Sequence, residues 1–342
     1  MPVHPLIKSG VYLTAHVTGL SRALGLRYRG CGVIFAFHSI VEDDTFYPDY
    51  TLRCSVGKLE WILFRLRQQQ LDFVTLDEAV ERLSAPSARP FVTFTFDDGF
   101  ADNLTKALPV MEKFAAPFTV YVPTSMIHRD IDAWWFGVAE LVRLHDEIEL
   151  PTLGRLRCAD RATKQRAYST IESAIHDNFE LLPAIREVLD ATRIKIPVLV
   201  DREALTEQQL RTLSQHPLVT IGGHSTSHPN FKRAPATTVH AEMTQNRKFL
   251  EELTGQQVVH NAYPFGHAGA CGDREAAISR AVGFRTAVTT RRGTLFPQHR
   301  DHLCALPREP LRSDDTPASL SCKLSGFYRA LYSGFGDPVA RM

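Results

Sequence analysis

Two short stretches carry residues whose types and spacing could do chemistry. "VTFTFDDGF" (92–100) ends an alternating run on two adjacent carboxylates, Asp97 and Asp98, just before Gly99. Two negative charges packed together repel each other and lose hydration. A solvated turn would tolerate them, since Asp-Gly is common in turns; a cation beside them would use them. "HSTSHP" (224–229) supplies His224 and His228, four residues apart. On a helix or in a tight turn both imidazoles share one face and can grip one ion. Alone, such a pair is a weak signal, because surface helices produce it by chance. Here it follows a strand-like run, "VTIGG", as the acidic pair follows "VTFTF". One carboxylate and two neutral imidazoles make a divalent-metal set that leaves positions open for water and substrate. Adjacent residues on a strand point to opposite sides, which suits two roles for the two aspartates. One binds the ion; the other takes a proton from water, whose pKa falls to ~7 beside zinc.

The elements that must position these groups alternate along the chain. "GVIFAFHSI" (32–40) reads as a buried strand ending at His38, and "VGKLEWILFRLRQQQ" (56–70) as a helix with Leu59, Ile62, Leu63 and Leu66 on one side. "DFVTLDEAVERL" (72–83) gives a strand and then a helix capped by Thr75 or Asp77. "RPFVTFTFDDGF", the strongest strand, a helix at 103–114 and a strand at 117–125 follow. Repeated alternation is the signature of a parallel α/β sheet or barrel, in which chemistry collects where strands end. Over about 126–215 the pattern changes to helices, "DAWWFGVAELVRLHDEIEL" among them, with no clear strand. The alternation resumes with strands near 218–223, 258–266 and 284–290 and helices near 239–253 and 273–282, and the final thirty residues show little periodicity. The expected class is therefore an α/β barrel-like catalytic unit over 31–310 with a helical insertion at about 126–215. An amphipathic segment at 1–30 precedes it and a tail at 311–342 follows.

A net charge of +1 argues against a general nucleic-acid or acidic-polymer binder, since composition forces no basic face. Six cysteines without a CxxC pair suit neither a zinc ribbon nor a small disulfide scaffold, and point to reduced thiols. No run is long enough to span a bilayer, and the N-terminus lacks the apolar core and cleavage site of a signal peptide. Leu13, Val17, Leu20 and Leu24 fall at helical spacing beside Lys8, Arg22, Arg27 and Arg29. Such a segment more often packs on its own domain; the alternative is peripheral contact with the inner face of a membrane. The expected location is cytoplasmic, with that association as an option.

"TFDDG" (95–99), "HSTSHP" (224–229) and "AYPFG" (262–266), in this order on a β/α chain, resemble the first three motifs of the NodB-type polysaccharide deacetylases, carbohydrate esterase family 4. The first two motifs together are specific and the third is looser. The resemblance implies a distorted (β/α)7-type barrel and metal-dependent removal of N-acetyl or O-acetyl groups from sugars. Carried over by position, it makes Asp97 the general base and Asp98, His224 and His228 the metal ligands. The backbone N–H of Phe265 becomes an oxyanion donor, with Tyr263 in the same substrate-binding segment. Zn2+ is the default ion, and Co2+, Ni2+, Fe2+ or Mn2+ would suit the same ligands.

Two departures stand out. An arginine often opens the third motif and orients the catalytic aspartate; here that position is Ala262. Arg308 in "ALPREP" is the candidate to supply the charge from another loop, against the commoner reading of a surface or structural arginine. The late Leu-x-His motif that carries the general acid is also missing. "IFAFHSI" resembles it, and in a circularly permuted order the first strand takes the place of the last. His38 is then the preferred acid, against a buried histidine satisfied by backbone groups and against His302 and His267. Trp134 and Trp135 read first as core or interface residues and second as a platform for a sugar ring. His128, His145 and His176 read as surface residues of the insertion. The function expected is removal of N-acetyl groups from an N-acetylhexosamine of a bacterial envelope polysaccharide or lipid-linked precursor, with release of acetate. The rivals are a glycan-binding barrel that keeps the metal without turnover, and a deacetylase of a small amide or nucleotide sugar.

Overall fold

The computed structural model describes residues 5–43, 45–85, 89–151 and 153–342. In chain order, α1 (Pro5–Val17) and α2 (Leu20–Tyr28) lead into β1 (Gly32–Phe37), β2 (Ser39–Val41), β3 (Arg53–Ser55), α3 (Val56–Gln68), β4 (Asp72–Phe73) and α4 (Leu76–Ser84). Next come β5 (Phe91–Phe96), α5 (Leu108–Lys113), β6 (Phe118–Val122), α6 (Thr124–His128) and α7 (Trp134–Leu144). Then follow β7 (Glu147–Leu150), β8 (Gly154–Arg157), α8 (Arg161–Asp177), α9 (Leu182–Ala191), α10 (Ile196–Glu203) and α11 (Glu207–Ser214). The chain closes with β9 (Val219–Gly223), α12 (Ala236–Thr254), β10 (His260–Ala262), α13 (Asp273–Val282), β11 (Thr286–Val288), β12 (Glu309–Pro310), α14 (Pro317–Leu324) and α15 (Phe327–Tyr332).

Among the described residues, parallel strands run in the order β11-β10-β9-β6-β5-β1-β12, with β4 on the start of β5. Leu306 bridges Val288 of β11, and Glu309 pairs with Phe35 of β1, so one short segment spans from the last sector to the first. The result is the distorted (β/α)7 barrel that the alternation and the motif resemblance imply.

The strand alternation aims the chemistry. Phe35 and Phe37 stack on Phe94 and Phe96 across β1 and β5, and pack into the core that holds Leu59, Ile62, Leu63 and Leu66 of α3. Their neighbours on β5 face the other way. Thr95 and then Asp97 therefore point into the barrel lumen. Asp98 would point outward had the backbone continued, but Asp98 and Gly99 both adopt left-handed φ, at 73° and 67°. The chain turns at the rim, in a conformation that aspartate and glycine tolerate best.

Between β6 and β9 the chain builds a second core of its own. Trp134, Trp135, Tyr168, Ile171, Ile175, Ile185 and Leu189 are buried together there. This stretch is not purely helical: β7 and β8 form an antiparallel hairpin inside it. Glu147, Ile148, Glu149 and Leu150 alternate exposed and buried, a two-residue period where a continuation of α7 was expected. Four-residue strands are too short to stand out beside long helices. The C-terminal region also differs from expectation. α14 starts on a capping box from Thr316 and Ser319, and α14 and α15 bury Cys322, Phe327 and Tyr328 against Ala15. Helices this short hold too few turns to display a period. α1 packs through Ala15 and leaves Leu13 and Val17 exposed at 58% and 73%.

Candidate active site

Asp97, Asp98, His38, His224 and His228 all follow the C-terminal ends of barrel strands. Asp97 follows β5 and accepts two hydrogen bonds from Arg308, Nη1 to Oδ1 and Nη2 to Oδ2, both 2.7 Å. Arg308 is 1% exposed. It donates further to Thr95 Oγ1 and the Thr289 carbonyl, each at 3.0 Å, so the guanidinium is locked on three sides. Burial raises the Asp97 carboxyl, but the Arg308 charge and its hydrogen bonds outweigh that and hold it below the usual carboxylate range. The guanidinium beside Asp97 thus comes from a residue more than two hundred positions away in the chain.

Asp98 Oδ1 lies 3.4 Å from His224 Nε2 and 3.5 Å from His228 Nε2. One ligand atom from each of the three falls within 4.8 Å of the others, the only such group among the described residues. Several local devices build it. The His224 Nδ1 sits 2.7 Å from the Ala262 carbonyl, which holds the proton on Nδ1 and turns Nε2 inward. The His224 backbone N–H donates to Asn246 Oδ1, and Asn246 donates to the Val122 carbonyl and Thr124 Oγ1 at 2.9 Å each. Ser225 Oγ accepts from the His228 N–H, with both residues at left-handed φ. "HSTSHP" is thus a tight turn, and not a helix.

The donor set fits a divalent cation. Burial raises the Asp98 carboxyl, yet the His224 hydrogen bond and the histidine charges leave it well below its ordinary range. Burial lowers His224, yet Asp98 and Asp97 outweigh it and push that imidazole up, so the pocket favours positive charge between these groups. His228, where burial prevails, is pushed down to about 4, so its imidazole is neutral at pH 7, the form that can bind a cation. An Asp, His, His set with intermediate softness suits Zn2+ and its first-row neighbours.

His38, just past β1, brings Nε2 to 3.9 Å from Asp97 Oδ2. Burial pushes its imidazole down despite the pull of Asp98 and Asp97. Phe265 takes a left-handed φ of 60°, and its N–H has no acceptor among the described residues. Gly266 beside it must be glycine: a Cβ there would meet the Thr290 nitrogen at 2.7 Å. Tyr263 borders the cavity, and its hydroxyl donates to the Cys304 carbonyl at 2.8 Å. His302 does not line the cavity, whereas His267 does.

The β6–β9 connection contributes more than expected. Trp134 and Trp135 are both buried and both line the cavity, with the Trp135 ring 5.3 Å from that of His228. His176 is not a surface residue: its ring lies 5.4 Å from Phe265 and it lines the cavity with Glu172. The available signal was the stripe Tyr168, Ile171, Glu172, Ile175 and His176 on one side of α8, which places two polar side chains along a buried apolar seam.

A distorted (β/α)7 barrel with a carboxylate–imidazole set and a clamped second carboxylate at its rim defines a class of hydrolase scaffold. The sequence pattern of the polysaccharide deacetylase family matches residues 84–287. The chain belongs to that family and is a carbohydrate N-deacetylase, a hydrolase. Among solved structures, the deacetylase PplD of Streptococcus pyogenes, in complex with acetate, is 17% identical, with a TM-score of 0.55 over 85% of this chain and 97% of its own. The de-N-acetylase of Aggregatibacter actinomycetemcomitans is 12% identical, with a TM-score of 0.56 over 85% and 99%. IcaB of Ammonifex degensii is 16% identical, with a TM-score of 0.55 over 86% and 97%. At these identities the likeness is one of fold. A comparison with curated proteins found no significant match.

Proposed function

We propose that the protein is a metal-dependent enzyme that removes the N-acetyl group from an N-acetylhexosamine of a bacterial envelope polysaccharide or a lipid-linked precursor. The observation that carries this is the Asp98, His224 and His228 group standing beside an uncoordinated carboxylate, Asp97, that Arg308 grips with two hydrogen bonds. A divalent cation held by Asp98, His224 and His228 supplies Lewis acidity for the acetyl carbonyl and for water. Asp97 accepts the proton of the attacking water, its direction set by Arg308. The Phe265 N–H donates to the oxygen that gains charge as the carbonyl becomes tetrahedral. His38 delivers a proton to the departing amine; its Nε2 lies 3.9 Å from Asp97 Oδ2, beyond hydrogen-bond reach, so the pair must tighten when substrate binds for the proton Asp97 has taken to pass on to it. Water and amide become acetate and a free amine.

The stretch at about 126–215 is best taken as an insertion on the catalytic barrel of 31–310, since it has its own core. Among the described residues no helix is long and apolar enough to cross a membrane. Peripheral contact with an anionic inner-membrane face is supported by the exposed Leu13 and Val17 and by the absence of any acidic residue before Glu42.

The test is acetate release from N-acetylglucosamine oligomers, lipid-linked glycans and nucleotide sugars. Each is assayed with the purified protein, after chelation, and after return of Zn2+, Co2+ or Mn2+, with His38→Ala alongside. Release that chelation abolishes and metal restores is expected. Metal uptake without acetate from any substrate would favour a glycan-binding barrel, and full activity in His38→Ala would remove His38 from the proton path.

A further inference from the structure

The cavity above Asp98, His224 and His228 has a volume of about 190 Å³. A cavity of ~150 Å³ takes one benzene ring, so this one has room for a single six-membered ring with a short substituent. A second linked ring would lie outside it. The β6–β9 connection walls one side of this cavity through Trp134, Trp135, Glu172 and His176. His176 of α8 approaches Phe265 at 5.4 Å and His267 at 6.1 Å, and Phe179 approaches Phe265 at 6.1 Å. Arg233, from the segment after β9, lies 4.6 Å over the Phe179 ring. These contacts join the connection to the loops after β9 and β10 and narrow the cavity mouth on that side.

We propose that the site is a one-sugar pocket, taking a single N-acetylated pyranose at a chain end or on a carrier, with Glu172 of α8 hydrogen-bonding the ring hydroxyls. This rests on the deacetylase reading above and adds to it which sugars of a glycan are reached. Glu172 is half-buried, lines the cavity, and sits one helical turn before His176. Its charged and polar neighbours are Arg312, Asp49 and the Tyr168 hydroxyl. Burial pushes its carboxyl up to about 7. Near neutrality it therefore offers both a donor and an acceptor, which is what a sugar hydroxyl requires of its partner. Trp134 adds an apolar face to the same cavity, on which the carbon face of a sugar ring can pack while its hydroxyls meet the polar lining.

The test uses the full chain, zinc-loaded, and N-acetylglucosamine dimer, tetramer and hexamer. Mass spectrometry of the products should show one acetyl group lost per chain, at one terminus, whatever the length. Loss of several acetyl groups or of internal ones overturns the pocket. Asp97→Asn, which keeps the metal ligands, allows binding to be read without turnover. Saturation-transfer NMR should then show contact confined to one terminal ring. Contact spread over internal rings, or no contact, overturns the proposal, whereas terminal contact with no acetate from the unmodified enzyme counts against the deacetylase reading alone. Glu172→Ala should raise KM about 10-fold with kcat nearly unchanged, the loss expected for one hydrogen bond, and Glu172→Gln should recover part of it. An unchanged KM in Glu172→Ala removes Glu172 from sugar recognition.

Discussion

The barrel rim and the β6–β9 connection meet at one cavity but are built on opposite plans. At the rim, two of the polar side chains are tied to specific partners, Asp97 to Arg308 and the His224 ring to the Ala262 carbonyl, and the His224 backbone is tied to Asn246. The connection places few polar groups at the cavity and holds them by packing, along a seam of Ile171, Ile175 and Tyr168. The rim's orientation depends on directional bonds in a low-dielectric setting, where a lost partner leaves a buried charge. The connection depends on filled volume, where a lost side chain leaves a void. Reaction and access are thus assigned to separate physical devices, and they should fail separately.

The sharpest break is Asp97→Asn. It should lower kcat by about 10³- to 10⁴-fold, or ~4–5 kcal/mol in barrier, while zinc content by elemental analysis stays at the level of the unmodified enzyme. Loss of zinc along with activity would merge two roles that the rim keeps apart. Next comes Arg308→Met, which strands the buried Asp97 charge. A stability loss of about 3–5 kcal/mol in denaturant titration is expected, and a loss under 1 kcal/mol would show that the pair is not held as described. In the connection, Ile171→Ala should cost about 2–4 kcal/mol by the same titration. Its kinetic signature should be a higher KM at nearly constant kcat, and a kcat effect as large as its KM effect would blur the contrast. The smallest effect belongs to neither region. Leu13→Ser with Val17→Ser should change stability by less than about 0.5 kcal/mol, as exposed substitutions do. It should nonetheless reduce sedimentation with anionic lipid vesicles, and unchanged sedimentation would leave α1 without a membrane role.

How far the sequence alone could be read follows the same division. Asp97, Asp98, His224 and His228 stand out because strand period, strand ends and residue type agree over a few positions. His38 was legible because it closes a strand of unbroken apolar residues, the kind that marks a parallel sheet. Arg308 could be named only as a candidate, since its partner lies more than two hundred positions away and no local pattern records that contact. Glu172 and His176 were missed as site residues. A polar pair on a helix reads as solvated surface until the opposite wall of the cavity is known. The β7–β8 hairpin was missed because it spans too few residues to show its period against neighbouring helices.

The sequence by itself determined the alternation of strands and helices, the strand ends at which Asp97, Asp98 and His224 stand, and the chemistry of the carboxylate and imidazole donors. These depend on side-chain type and on backbone preferences that act over a few residues. Only the tertiary structure decided that Arg308 faces Asp97, that the Tyr263 hydroxyl is spent on the Cys304 carbonyl, and that α8 walls the cavity. Those outcomes depend on how closing the barrel and packing a second core bring distant segments to within van der Waals distance, which no local spacing encodes.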